Sequence, residues 1–209
     1  AVSLASWRRP VRTAVALLML GAVLLIGVFR PQFDQKLIFG GWGAFAGGVY
    51  GGKDAGSTVD ITSRNMMRTL YHREGVSASV DVLEQGDGMQ LISINAQTVA
   101  STYMPDMRAL QMLGHLPVLL HPDPKQVLII GLGAGVSSGF IGAYPGVDQV
   151  TVVELNDEVP GGTAKFAEWN FDVLHNPKVK IVINDGANYV KATRKKYDFI
   201  SSDPIHPFI

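Results

Sequence analysis

The feature that most constrains the fold is the run QVLII at residues 126–130, which leads directly into Gly-Leu-Gly-Ala-Gly at residues 131–135. An uninterrupted apolar run of this length is typical of a parallel strand that is buried on both faces. Glycines directly after such a strand allow a tight turn and a close approach of the backbone to a ligand. A helix-compatible stretch follows as far as Tyr144, so the sequence predicts an α/β fold.

The same alternation continues towards the C-terminus. Apolar runs and helical patterns succeed one another after the glycine loop, and they predict strands at 149–154, 178–183 and 197–202, with helices at 163–174 and 186–195. Alternating strands and helices of this kind indicate a right-handed, doubly wound parallel sheet, that is, a Rossmann-like domain.

The residues before this domain follow different patterns. Residues 76–82 and 91–95 alternate between apolar and polar side chains on either side of the turn sequence Gln85–Gly88, which predicts a β-hairpin. Residues 105–120 have apolar side chains at helical spacing, and Pro117 is a position at which that helix would end or kink.

The glycine loop is the first candidate binding element. Gly131, Gly133 and Gly135 form the pattern G-x-G-x-G, and Val136 stands where a dinucleotide fingerprint has its third glycine. Glu154 ends the next strand, where a carboxylate is placed to accept the hydroxyl groups of a ribose. This arrangement favours an S-adenosyl compound over a dinucleotide. The alternative is that the loop is only a tight structural turn.

Two further aspartates follow strands of the same predicted sheet. Asp185 comes after the third strand and is a candidate acceptor for an adenine amino group, or simply the N-cap of the next helix. Asp203 comes after the fourth strand and is a candidate general base or cation ligand, or simply a turn residue before Pro204.

The N-terminal segment has the composition of a membrane helix. Residues 13–29 contain 17 uncharged, mostly apolar residues, at the lower end of the length that spans a bilayer. Arg8, Arg9 and Arg12 precede them and favour a cytoplasmic N-terminus, although basic residues also follow. A signal peptide and a buried soluble helix are the alternatives. We expect a single-pass membrane helix, with the side of the membrane on which the domain lies left open.

Composition excludes other classes of function. Lys+Arg and Asp+Glu are both 18, so the chain lacks the basic excess of a nucleic-acid-binding protein. It has no cysteine, and its five histidines show no ligand spacing, so we expect no metal site. Residues 37–52 are apolar and glycine-rich, which favours a flexible or interfacial linker, the alternative being a segment packed against another membrane protein.

Several segments together resemble the spermidine/spermine synthase family, and most closely its membrane-fused bacterial members. They are YHREGVSASVDVLEQGDG, MRALQMLGHLPVLLHPDPKQVLIIGLGAGVSSG, VTVVELNDEV, VKIVINDGANYV and KYDFISSDPIHPF, in this order between residues 71 and 209. The sequence patterns and the resemblance together predict a transmembrane anchor at 1–36, which the likeness to those members would place in a bacterial inner membrane, a glycine-rich linker at 37–70, a small β domain at 71–104 and a Rossmann-like domain at 105–209.

The resemblance also implies a reaction, in which the aminopropyl group of decarboxylated S-adenosylmethionine is transferred to a small amine. Glu154 would then bind the ribose, Asp185 the adenine and Asp203 the attacking amine. The chain departs from soluble synthases at Ala134, where they carry an acidic residue that engages the aminopropyl ammonium, and at His206, where they carry a second aspartate. Ala109, Leu110 and Gln111 also replace their Tyr-His-Glu run.

Each departure removes groups that such a substrate would contact. The sequence therefore leaves two main hypotheses: an aminopropyltransferase, or a non-catalytic synthase-like accessory subunit of a larger membrane complex. An S-adenosylmethionine-dependent methyltransferase is a third alternative.

Overall fold

The computed structural model describes residues 9–28 and 67–202. They belong to two compact units, residues 1–34 and residues 35–209. The first unit contains helix α1, Arg9–Val28, in which Leu17, Leu18 and Met19 are more than half exposed. No helix within the described ranges is long and apolar enough to cross a membrane. The predicted transmembrane helix is therefore not confirmed.

The first structure described in the second unit is an antiparallel sheet. Its strands pair in chain order, and they are β1 Arg68–Glu74, β2 Ser79–Glu84, β3 Gln90–Ile94 and β4 Gln97–Ser101. The predicted hairpin is confirmed, because β2 pairs with β3 from Val80↔Ile94 to Glu84↔Gln90. Gly88 has φ 84° in the connecting turn, a conformation that favours glycine. Residues 68–70 lie in β1 rather than in the predicted linker, whose residues 37–66 fall outside the described ranges.

Both faces of β2 are covered, which the alternating pattern did not predict. Val80 and Val82 belong to the main core, whereas Leu83 packs with Met67 and Leu91 in a small cluster. Asp81 is also buried and is only 2% exposed. Polar residues in this strand therefore need partners inside the protein.

A parallel sheet follows, and it confirms the doubly wound prediction. The elements of this region are α2 Met104–Leu120, β5 Gln126–Ile130, α3 Val136–Ala143, β6 Gln149–Glu154, α4 Val159–Thr163, β7 Val179–Ile183, α5 Gly186–Ala192 and β8 Phe199–Ser202. The strands lie in the order β7-β6-β5-β8. The strand order reverses between β5 and β8, and ligands bind at such a switch point in open α/β sheets.

The long helix predicted at 163–174 is wrong. The chain forms the short helix α4, a 3₁₀ turn at Ala164–Phe166 and a second 3₁₀ turn at Val173–His175. Phe171 and Asp172 have φ of 56° and 50°, which a continuous α-helix does not allow. The other predicted helix at 186–195 ends three residues early, at Ala192.

Helices α2 and α3 pack side by side and run in the same direction. The Ser137 hydroxyl in the first turn of α3 donates to the Leu110 carbonyl at 2.9 Å. Further along α2, His115 Nδ1 lies 2.6 Å from the hydroxyl of Tyr144, the residue that directly follows α3. The later of these two α2 residues thus contacts the later of the two partners. Pro117 lies inside α2, which continues to Leu120.

Candidate functional site

A cavity of about 610 Å³ opens where the parallel strands end. Its size is within the range of small-molecule binding sites. Three parts of the chain line it: residues 94 and 97–100 of the antiparallel sheet, residues of α2, and the ends of β5, β6 and β8 together with the segments that follow β5, β6 and β7. The cavity therefore lies at the position that the sheet topology predicts for a ligand.

The glycine loop forms one wall of the cavity. Gly131, Gly133 and Gly135 all line it, with φ of 93°, 52° and 75°. These left-handed conformations explain the glycines, because a side chain would strain each position. At Gly135 a Cβ would also lie 2.8 Å from the Thr163 side chain.

Two buried side chains from the segment after β6 fix the shape of this loop. The Thr163 hydroxyl donates to the Gly133 carbonyl at 2.7 Å, and the Asn170 amide donates to the Ala134 carbonyl at 2.8 Å. Thr163 and Asn170 are 0% and 1% exposed. Buried carbonyls are almost always hydrogen-bonded, so these two side chains satisfy groups that the turn leaves without a backbone partner.

Glu154 lies at the end of β6 and joins that strand to the glycine loop. Its Oε2 accepts the Leu132 N–H at 2.8 Å, and its Oε1 accepts the Asn156 N–H at 3.0 Å. The side chain lines the cavity although the residue is only 6% exposed. A carboxylate has about four acceptor sites, so two backbone bonds leave it capacity to accept ribose hydroxyls.

Asp185 lines the same cavity and begins α5. Its Oδ1 accepts the Asn188 N–H at 2.7 Å, which is the N-cap interaction that the sequence offered as one interpretation. The structure thus brings the glycine loop, Glu154 and Asp185 to one cavity. The adenine contact of Asp185 stays a prediction.

Asp203 and His206 lie outside the described residues. The two residues directly before Asp203, Ser201 and Ser202, line the cavity at the end of β8. The catalytic role of Asp203 stays a prediction.

Among the described residues, the charged side chains that line the cavity are all acidic. They are Asp106, Glu154 and Asp185, and no lysine, arginine or histidine within residues 67–202 is part of the lining. Sequence reasoning missed Asp106, which lies in the first turn of α2. An acidic residue in the first turn of a helix is explained by the helix dipole alone, so the sequence provided no reason to assign Asp106 to a site. The information that the sequence lacked was the proximity of α2 to the glycine loop. The described residues contain no cluster of metal-ligating side chains.

Comparison with known proteins identifies the family. Residues 107–209 match the family model of the spermine/spermidine synthase domain. This part of the chain belongs to that family. The synthase domain thus begins within α2 and includes the glycine loop, Glu154, Asp185 and Asp203.

Individual relatives agree with the family assignment. A polyamine aminopropyltransferase of Desulforudis audaxviator is 31% identical over 135 residues, which cover 63% of this chain and 48% of the relative. Putrescine N-methyltransferase 2 of Nicotiana attenuata is 40% identical over 101 residues, covering 46% and 27%. The chain spans about half the length of the aminopropyltransferases that it matches.

Solved structures show the same likeness in three dimensions. A spermidine synthase in complex with the transition state analogue AdoDATO has a TM-score of 0.61 at 27% identity, covering 68% of this chain and 48% of that one. The spermidine synthase from Thermotoga maritima has a TM-score of 0.59 at 28% identity, covering 65% and 48%. The fold of the synthase domain is therefore spermidine synthase-like.

Proposed function

We propose that the protein transfers an aminopropyl group from decarboxylated S-adenosylmethionine to a small amine. The observation that carries this proposal is the cavity that brings together the glycine loop, Glu154 and Asp185, and whose charged side chains, among the described residues, are acidic. An adenosyl sulfonium and an amine are both cationic, and acidic side chains favour their binding. The family membership and the structural likeness to a spermidine synthase bound to an adenosyl analogue support the same function.

The reaction needs an unprotonated amine in line with the carbon that is attacked. The amine nitrogen forms a bond to the aminopropyl carbon next to the sulfonium, and the C–S bond breaks. Its electron pair stays on sulfur, which yields neutral methylthioadenosine, while the amine loses a proton to a base. In this proposal Glu154 binds the ribose, Asp185 the adenine, and Asp203 accepts the proton. Positioning of the two reactants supplies much of the rate enhancement in such transfers.

A second candidate is transfer of a methyl group from S-adenosylmethionine to an amine. One observation favours it: the putrescine N-methyltransferase of Nicotiana attenuata is 40% identical to a part of this chain. Ala134 is consistent with this alternative, since the glycine loop carries no acidic side chain for an aminopropyl ammonium. The site would use the same nucleoside contacts in both reactions.

Binding and turnover separate these candidates. We would titrate the full chain with methylthioadenosine by calorimetry, and then supply decarboxylated S-adenosylmethionine or S-adenosylmethionine with putrescine. Release of methylthioadenosine from the first donor supports aminopropyl transfer, and methylated putrescine from the second supports methyl transfer. Glu154→Gln should weaken nucleoside binding, whereas Glu168→Gln, a substitution of an exposed glutamate outside the lining, should not. Absence of both binding and turnover would favour the accessory subunit.

Membrane attachment through α1 remains part of the proposal. The described side chains of this helix include several exposed apolar ones, among them Leu17, Leu18 and Leu20. Exposed apolar surface of this kind favours contact with lipid or protein. Fractionation of cells that express the full chain, followed by an alkaline wash, tests the attachment. Recovery in the washed membrane fraction supports it, and recovery in the supernatant contradicts it.

A further inference from the structure

We infer that Asp106 determines specificity by binding a positively charged nitrogen of the substrate in the cavity. This inference rests on the proposed function and deepens it, because it assigns the substrate ammonium to a residue of α2. Asp106 lies outside the segments on which the sequence prediction of the site was based.

The charges of the cavity lead to this residue. Within residues 67–202, the charged side chains that line it are those of Asp106, Glu154 and Asp185, and all three are acidic. Glu154 accepts backbone N–H groups from the segments that follow β5 and β6. Asp185 accepts a backbone N–H group from the helix that follows β7. Asp106 belongs to a different wall of the cavity, formed by α2 and residues 97–100.

The packing of α2 against α3 indicates where Asp106 lies relative to the glycine loop. Leu110 contacts Ser137, the second residue of α3. Since the two helices run in the same direction, Asp106, one turn before Leu110, lies level with the residues that precede α3. Those residues are the glycine loop, and Ala134 within it also lines the cavity. Asp106 therefore supplies negative charge beside a loop that contains none.

The side chain of Asp106 is held in place by a neutral donor. Its Oδ2 accepts the hydroxyl of Ser101, a residue of β4 that is 1% exposed. A neutral donor orients the carboxylate without cancelling its charge, in contrast to a lysine or arginine partner. An ammonium group on that carboxylate would form a charge-assisted hydrogen bond, about twice as strong as a neutral one.

A purely structural role is the alternative to be tested. Asp106 lies in the first turn of α2, where an acidic side chain stabilises a helix through its dipole. This role predicts lower thermal stability in a variant and no preference among substrates. A role in specificity predicts that the variant binds a substrate with a second positive charge more weakly, and that its affinity for a substrate without that charge is unchanged.

The decisive experiment compares two acceptors in the full chain, 1,4-diaminobutane and butylamine, which lacks the second ammonium. Asp106→Asn should raise KM for the diamine about 10- to 100-fold, as expected for a lost charged hydrogen bond, with KM for butylamine and the Kd for methylthioadenosine unchanged. Glu168→Gln is the matched control, and Ser101→Ala, which retains the charge, should have an effect of less than about tenfold. Equal changes for both amines, or no change, would overturn the assignment.

Failure of the proposed function gives a different result. If the wild-type chain turns over neither donor, calorimetric binding of the diamine and of butylamine replaces KM as the readout. Asp106→Asn should then weaken diamine binding alone. Wild-type binding of the diamine no tighter than of butylamine would contradict the role of Asp106 independently of catalysis.

Discussion

The two sheets of this protein hold their carboxylates in different ways. In the parallel sheet, Glu154, Asp185 and Asp198 all accept backbone N–H groups near the ends of strands. In the antiparallel sheet, Asp81 lies in the middle of β2 and pairs with His72 Nδ1 at 2.7 Å. Strand ends have backbone donors that no neighbouring strand uses, whereas a strand interior has none to spare. A carboxylate inside a strand therefore depends on a side chain.

The pKa values of two aspartates reflect this difference. Burial raises the pKa of Asp81, and the hydrogen bond from His72 opposes the shift. The backbone N–H groups of Gln126 and Lys125, each at 2.7 Å, lower the pKa of Asp198. The Oδ2 atom of Asp81 is buried without a hydrogen-bond partner. The ends of parallel strands thus stabilise a negative charge that the interior of the antiparallel sheet disfavours.

Removal of the best-anchored carboxylate should have the largest effect. We expect Glu154→Ala to lower the free energy of unfolding by about 3 kcal/mol, because the buried N–H groups of Leu132 and Asn156 both lose their acceptor. Urea denaturation measures this change. Glu168→Ala, at an exposed position, should stay within about 0.5 kcal/mol of wild type. Equal effects of the two substitutions would show that the backbone bonds contribute little.

Asn170→Ala tests whether a side-chain amide stabilises the region of the parallel sheet to a similar extent as the Glu154 carboxylate. The Asn170 amide donates to Ala134 and Thr163 carbonyls at 2.8 and 3.2 Å, so we expect a loss of about 2 kcal/mol. Weaker nucleoside binding should accompany it, since the glycine loop loses one of its two side-chain donors. Denaturation and calorimetry on the same preparation measure both quantities. Loss of stability with unchanged nucleoside affinity would contradict the positioning of the loop by Asn170.

Asp81→Asn should change how stability depends on pH. The folded-state pKa of Asp81 is raised above its ordinary value of 3.8, so its contribution to stability is full below that value and is lost as pH rises through the raised pKa. The asparagine variant lacks this loss. The difference in unfolding free energy should therefore shift in favour of the variant as pH rises through this window, with His72 and Glu74 as the neighbouring titrating groups. Urea denaturation at several pH values measures it, and a constant difference would refute it.

Asp198→Asn should show the opposite dependence and the smallest effect. The folded-state pKa of Asp198 is lowered, so its contribution to stability is present above 3.8 and is lost as pH falls through the lowered value. The variant should be less stable than wild type at neutral pH, and the difference should shrink in acid. The effect is small because solvent screens this exposed carboxylate. The same denaturation series measures it, and a difference that grows in acid would exclude the backbone bonds as its cause.

Much of the fold was predictable because the strands are continuous apolar runs. Strands β5 and β6 occur at the predicted residues, and the carboxylate at the end of β6 reaches the expected cavity. The segment after α4 was mispredicted because its apolar residues recur at helical spacing. The spacing does not show that the Asn170 side chain donates hydrogen bonds to the Ala134 and Thr163 carbonyls, which a regular helix would not form. The burial of Asp81 was also missed, since alternation in a strand cannot show that both faces are covered.

Residues of both sheets line the cavity, so the binding of a ligand there affects how both sheets unfold. A ligand that contacts residues 97–100 and the ends of β5 and β6 at once would stabilise both sheets together. By mass action, a ligand at 100 times its Kd adds about 2.7 kcal/mol to the folded state. Slower hydrogen exchange in β4 and β6 together, and not in one alone, is the expected signature of that linkage.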